Sequence, residues 1–213
     1  MLKKFSCMNV LPPAAAGDLV TVVSGLPRSG TSMLMRVLER GGIAPLTDNI
    51  RQQDSRNPHG YFELETVKDK HSYGNWIGSA RGKAIKVVSR FLPYLPASQQ
   101  YRILFLHRDI DAVLRSQQDM AQHYSGNGWD DGATDRLKQA YRQHVAETLA
   151  WVEQRPNMLL HQLQYEELTA TPDGPLQALG DFLRPHSLRL SDMRTAIDPS
   201  LNHANAKGDI HRG

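Results

Sequence analysis

Between Leu19 and Gly42 the chain passes from a β-branched apolar run, through a loop with two glycines, into a segment whose apolar residues fall at helical spacing. Val20, Val22 and Val23 read as a buried strand. Met33, Leu34, Val37 and Leu38 recur at three- and four-residue intervals, and Gly41 is the expected stop just past the helix. Between them lies Ser24-Gly25-Leu26-Pro27-Arg28-Ser29-Gly30-Thr31-Ser32. A strand, a glycine loop and a helix N-terminus in this order aim backbone N–H groups and the positive end of the helix dipole at an anion. Thr31 and Ser32 add hydroxyl donors at the helix start. The competing reading, a glycine-rich turn that binds nothing, does not account for the agreement among strand, hydroxyls and helix.

The spacing is that of a nucleoside-triphosphate loop, with one informative break. The pattern G-x-x-x-x-G-K-[ST] carries Lys where this chain has Thr31. The cation stands inside the loop instead, at Arg28. In triphosphatases the Lys serves the β- and γ-phosphates beside Mg²⁺. An Arg before the second glycine, with Thr-Ser after it, suits a shorter anion.

A second anion motif follows in Tyr101-Arg-Ile-Leu-Phe-Leu106-His107-Arg108-Asp109 and the residues to Ser116. Ile103 to Leu106 reads as a short apolar strand, and Asp109 as the cap of a helix carrying Val113, Leu114 and Met120. Arg108 ends the strand, and Ser116 lies eight residues further on, about two turns into the helix. Arg offers a planar fork for phosphate oxygens and Ser a neutral donor. Taken alone, an Arg after a strand is commonly an ion-pair partner. Asp109 and Asp111 raise the thought of Mg²⁺, but carboxylates at a helix start are ordinary caps and dipole partners. The histidines are scattered and show no metal-ligand spacing.

Bulk properties set few further limits. A chain of 213 residues is most simply one domain burying roughly 70% of its unfolded surface. The expected organisation is an irregular lead-in at 1–17 and a single domain over 18–213. A net charge of +3 suits an anionic ligand and is too weak to argue for nucleic acid. One cysteine, Cys7, allows no internal disulfide and no thiolate metal cage. No apolar stretch is long enough to span a bilayer and no leader is evident, so a cytoplasmic protein without a membrane partner is expected.

Other segments fill the frame. Pro45 to about Lys70 is polar and helix-poor, with turn-formers in Asn57-Pro58-His59-Gly60-Tyr61-Phe62-Glu63. Substrate loops of α/β proteins sit in such positions at the carboxyl ends of strands. Glu63 is a candidate general base, with Glu65 the alternative and a solvating surface carboxylate the plain reading. Lys83 to Val88 reads as a strand, at whose end Lys86 either works or snorkels to water. Gln117 to Gly132 turns polar and reads as a loop near the site. From Thr134 to about Glu153 a long helix is expected, its stripe of Leu137, Tyr141, Val145, Leu149 and Val152 taken as core packing. A strand from Met158 and a short helix over Leu176 to Leu183 complete the alternation. Strands alternating with helices predict a three-layer α/β fold with a mostly parallel central sheet.

Pro27-Arg28-Ser29-Gly30-Thr31-Ser32 after a strand resembles the 5′-phosphosulfate loop of the sulfotransferases that use 3′-phosphoadenosine 5′-phosphosulfate. Its Arg form is similar to the protein-tyrosine and bacterial carbohydrate branches, and N-P-x-G-Y-x-E strings occur in bacterial members. The resemblance implies a P-loop-like fold and transfer of a sulfuryl group to a hydroxyl or amine, without a metal. The acceptor is left open among small molecules, carbohydrates and peptides, as is the oligomeric state. It further implies that Pro27, Arg28, Ser29, Gly30, Thr31 and Ser32 hold the 5′ end, that Arg108 and Ser116 read the 3′-phosphate, and that Tyr165 of Tyr165-Glu166-Glu167-Leu168 lies against the adenine. Lys86 corresponds to a lysine that reaches the transferred group. Where many cytosolic members have a histidine base two residues later, this chain has Val88, which shifts that role to a carboxylate such as Glu63. The family's C-terminal basic-glycine string finds only the slight match Arg212-Gly213. Rival readings are a nucleotide or small-molecule kinase on the same fold and an inactive nucleotide-binding protein.

Overall fold

The computed structural model describes residues 15–48, 62–69, 76–125 and 131–197. β1 (Val20–Gly25), β2 (Ala84–Lys86), β3 (Tyr101–His107) and β4 (Met158–Gln164) form one sheet in the order β2-β1-β3-β4, every pairing parallel. Parallel neighbours need long crossovers. Between strands these are α1 (Thr31–Gly41) and the pair α2 (Ile110–Ser125) and α3 (Asp131–Glu153). After β4 come α4 (Tyr165–Ala170), α5 (Asp173–Phe182) and α6 (Leu190–Thr195). The α/β sandwich expected from the alternation is the observed fold.

Period-two alternation along the strands sorts their side chains into two cores. Val23, Leu104 and Leu163 pack with Leu34 and Leu38 of α1, Leu179 of α5 and Met193 of α6. Val20, Val22 and Ile103 face the other way, against Leu92 and Val152. β1 is buried along its whole length, as a central strand covered on both faces should be. Its carboxyl end and that of β3 open side by side, with Gly25 paired to Leu106. Both anion motifs therefore leave the sheet at neighbouring points.

Several local expectations shift. Gly42, not Gly41, takes the left-handed cap, at φ +111°, its N–H bonding back to Glu39. Gly41 is the last helical residue, and a Cβ there would lie 2.7 Å from Met193, so its smallness serves the close approach of α6. The second strand is three residues long because the chain turns away at Ser89–Tyr94. The polar stretch after Gln117 is helical to Ser125, since its Gln, Met and Ala residues are good helix formers. Asp109 caps α2 as expected, its carboxylate accepting from the Ala112 N–H at 2.8 Å. Asp111 pairs with Lys138 of α3, and that hydrogen bond holds its carboxyl below the usual range. The lead-in 1–14, the turn at Asn57 to Tyr61, the segment 126–130 and Arg212-Gly213 lie outside the described residues.

Leu104 is fully buried between α1 and the sheet. Leu104→Ala is expected to lower stability by about 2–5 kcal/mol through lost burial and a cavity. Urea unfolding of the variant should show a lower midpoint with an unchanged slope.

Candidate active site

The loop between β1 and α1 is built on unusual backbone. Gly25 has φ +154°, Arg28 φ +73° and Gly30 φ +96°. A Cβ on Gly30 would lie 2.5 Å from the Tyr165 ring, and one on Gly25 2.6 Å from the Leu106 carbonyl. Only glycine allows the loop to fold this closely over the ends of β3 and β4. Arg28 carries a full side chain in the left-handed region, which costs on the order of 1 kcal/mol or more and persists only where its surroundings impose it.

Those surroundings come from the β3–α2 junction. Arg108 Nη1 donates to the Arg28 carbonyl at 3.0 Å. Arg28 Nε donates to Ser116 Oγ, also at 3.0 Å. Gln117 Nε2 donates to the Pro27 carbonyl at 2.9 Å, and Tyr141 Oη donates to Gln117 Oε1 at 2.7 Å. The two motifs predict separate basic pockets at neighbouring strand exits. The structure joins them, because the Arg28 side chain reaches the serine assigned to the other pocket. The Ser29 N–H closes a turn on the Leu26 carbonyl at 3.1 Å, so it is not an anion donor. Ser29 Oγ is buried and has no hydrogen-bond partner. Thr31 and Ser32 open α1, where the first N–H groups have no partner within the helix.

Tyr165 is only 4% exposed, with the Arg108 guanidinium 4.4 Å above its ring centre. The resemblance sets an adenine on this ring; in the structure the ring carries a cation and backs Gly30.

On the far side of the loop, Lys86 Nζ donates to Ser32 Oγ at 3.2 Å and lies 3.6 Å from the Glu63 carboxylate. Their side chains are 11% and 17% exposed, so the pair is largely shielded from solvent. Phe62, with φ +51°, turns the chain just before Glu63, and Thr47 Oγ1 donates to the Glu63 carbonyl at 2.8 Å. Glu65, the alternative carboxylate, begins a short turn whose N–H is held by Asp48. Glu63 thus meets Lys86.

Beside the loop an open cleft of about 620 Å³ runs from Leu26, Ser29 and Arg108 to Arg142, Val145 and Leu149 of α3. The apolar stripe on α3 reads as core in the sequence. Only Val152 belongs to a core cluster, while Val145 and Leu149 form cleft wall. Gln117 and Tyr141 carry little sequence signal of a role here. The one hint is a tyrosine in an apolar stripe, whose hydroxyl needs a partner.

Known proteins share this fold. The model of the sulfotransferase family matches residues 59–185, more than half of the chain, and the chain belongs to that family. The mouse sulfotransferase SULT7A1, solved as a complex with PAP, superposes with a TM-score of 0.58 at 18% identity, over 88% of this chain and 67% of its own. A sulfotransferase domain from the curacin biosynthetic pathway superposes at 0.51 with 21% identity, over 84% of this chain and 77% of its own. At these identities the likeness is one of fold. No curated protein matches the sequence.

Gly30→Ala should destabilise the protein by about 1–3 kcal/mol, through its left-handed φ and the clash with Tyr165. The clash should vanish when Tyr165→Ala is added. Denaturant unfolding of the two single variants and the double is expected to give a combined loss smaller than their sum.

Proposed function

We propose that this protein transfers a sulfuryl group from 3′-phosphoadenosine 5′-phosphosulfate to a hydroxyl or amine of an acceptor. The reading is carried by the convergence of Arg28, Ser116 and Arg108 on one glycine loop, with Lys86 and Glu63 meeting across Ser32. The donor set fits a doubly phosphorylated nucleotide. The loop from Leu26 to Ser32 has no acidic residue, and the Ser29 hydroxyl is buried with a hydrogen to give. PAP in the solved mouse sulfotransferase supports the same choice.

The substrate supplies the chemistry, an in-line displacement at sulfur that leaves 3′,5′-diphosphoadenosine. The chain supplies position and charge. The N–H groups at the start of α1, with Ser29, Thr31 and Ser32, hold the 5′-phosphate. Arg28 neutralises charge growing on the leaving phosphate. Arg108 and Ser116 hold the 3′-phosphate, and Tyr165 sets the plane of the Arg108 fork. Ser116 accepts from Arg28 and keeps its own hydroxyl hydrogen for a phosphate oxygen, coupling the two ends. Lys86 meets the sulfuryl oxygens, and Glu63 takes the acceptor proton. With Val88 two residues after Lys86, no histidine stands at that position. The open cleft, lined by Arg108 and Arg142, flanks the 3′-phosphate side of the loop.

Calorimetric titration tests the reading. 3′,5′-Diphosphoadenosine should bind well and ATP with Mg²⁺ poorly; the reverse would favour the kinase reading and count against this one. Arg28→Ala should lower turnover about a hundredfold or more, the scale of one lost oxyanion donor. Transfer from radiolabelled co-substrate to a panel of phenols, sugars and tyrosyl peptides measures it, and normal turnover would remove Arg28 from this role. Arg108→Ala should weaken 3′,5′-diphosphoadenosine while leaving adenosine 5′-phosphosulfate little changed. Equal loss for both ligands would show that Arg108 shapes the loop and does not read the 3′-phosphate.

A further inference from the structure

At the amino end of the sheet, away from the loop, Arg102 of β3 lies beside Thr21 of β1 in register. Both belong to the face covered by α1, α5 and α6, because they alternate with residues of the opposite core. Arg102 Nε and Nη1 are buried and have no hydrogen-bond partner, and the same holds for Thr21 Oγ1, on a residue that is 0% exposed. The Arg102 guanidinium stands 5.7 Å from the ring centre of Phe182, the last residue of α5. His161 of β4 stacks on the same ring, with the two centres 5.0 Å apart. His186, four residues past Phe182, also has a buried nitrogen without a partner. Its pKa is held down first by burial and then by the charge of Arg102.

Every group here donates hydrogen bonds, given an Nε2–H tautomer of His186, and one is permanently charged. Among the described residues no carboxylate pairs with Arg102. Buried donors left unpaired are destabilising, more so when charged, and a guanidinium is retained in such a place at a disadvantage to an apolar residue of equal size. The arrangement lacks only an acceptor with several oxygens. Gln100 Oε1, just outside the strand, is an unpartnered acceptor nearby in the chain, and its amide offers N–H groups when turned over. Arg102 itself is only partly buried, so an ion has a way in.

We propose that Arg102 and Thr21, flanked by His186, form a second anion site for a small free oxyanion of the sulfate or phosphate kind. It lies six residues along β3 from Arg108, about 20 Å from the loop. Occupation would tie α5 and the chain after it to the sheet through the ion.

The test is thermal unfolding of the full chain with sodium sulfate, against sodium chloride at equal ionic strength, for the wild type, Arg102→Met and Thr21→Val. In chloride, Arg102→Met should unfold at or above the wild-type temperature, since it removes donors that had no partner. In sulfate the wild type should gain more than Arg102→Met, which keeps only the gain from the loop and from sulfate's exclusion from protein surfaces, the difference reporting at least about tenfold weaker binding at this site. Thr21→Val, close in shape, should weaken the dependence less and covers the case in which Arg102→Met does not fold. Equal sulfate dependence in all three proteins would place the ion at the loop alone and overturn the site. A fall in stability of Arg102→Met that is the same in both salts would make Arg102 a packing residue over Phe182 and would overturn the site equally.

Discussion

The left-handed backbone at Arg28 is the constraint on which the site rests. A residue with a Cβ does not keep φ +73° unaided. It is imposed here by hydrogen bonds to two successive carbonyls of the loop, one from Arg108 and one from Gln117. Arg108 stands at the end of β3 and Gln117 on α2, the helix that β3 leads into, and β3 pairs with β1 and so lies beside the loop. The sheet order therefore comes before the chemistry. Were β3 not next to β1, the loop would lose its clamps and Arg28 its partner Ser116 together.

Charge is arranged around that loop in a way that stability alone does not explain. Lys86 and Glu63 form a largely shielded pair, and such pairs commonly add little net stability over apolar residues of equal size. Arg108 stacks on a buried tyrosine and gives one donor to the loop backbone, which together fix the plane of its five-donor fork. Tyr165 and Gly30 are matched to each other, the ring filling the space that the missing Cβ leaves. Rigid support of this kind is what chemistry by positioning needs.

The fold class and both anion motifs are legible in the chain because each is local. A buried strand, a glycine loop and a capped helix write themselves in consecutive residues, as do Arg108, the Asp109 cap and Ser116 two turns on. Glu63 and Lys86 stand out separately, and nothing in the chain says that they touch. Gln117 is hidden in a stretch whose polarity resembles a loop but whose residues favour helix. Tyr141 is hidden in an apolar stripe that faces a cleft along part of its length and core at Val152. Periodicity tells which residues share a helix face, not what that face meets.

The amino-acid sequence by itself determined the alternation of strands and helices, the glycines that permit the loop, and the residue types that can hold an anion. These follow from propensity, cap chemistry and φ restrictions, all of which act within a few residues. The tertiary structure alone decided that Arg28 reaches Ser116, 88 positions along the chain, that Lys86 meets Glu63, and that Tyr165 lies beneath Arg108. Those meetings depend on strand order and on which core each face joins. Such choices are made by packing across the whole sheet, and no local stretch of the chain carries them.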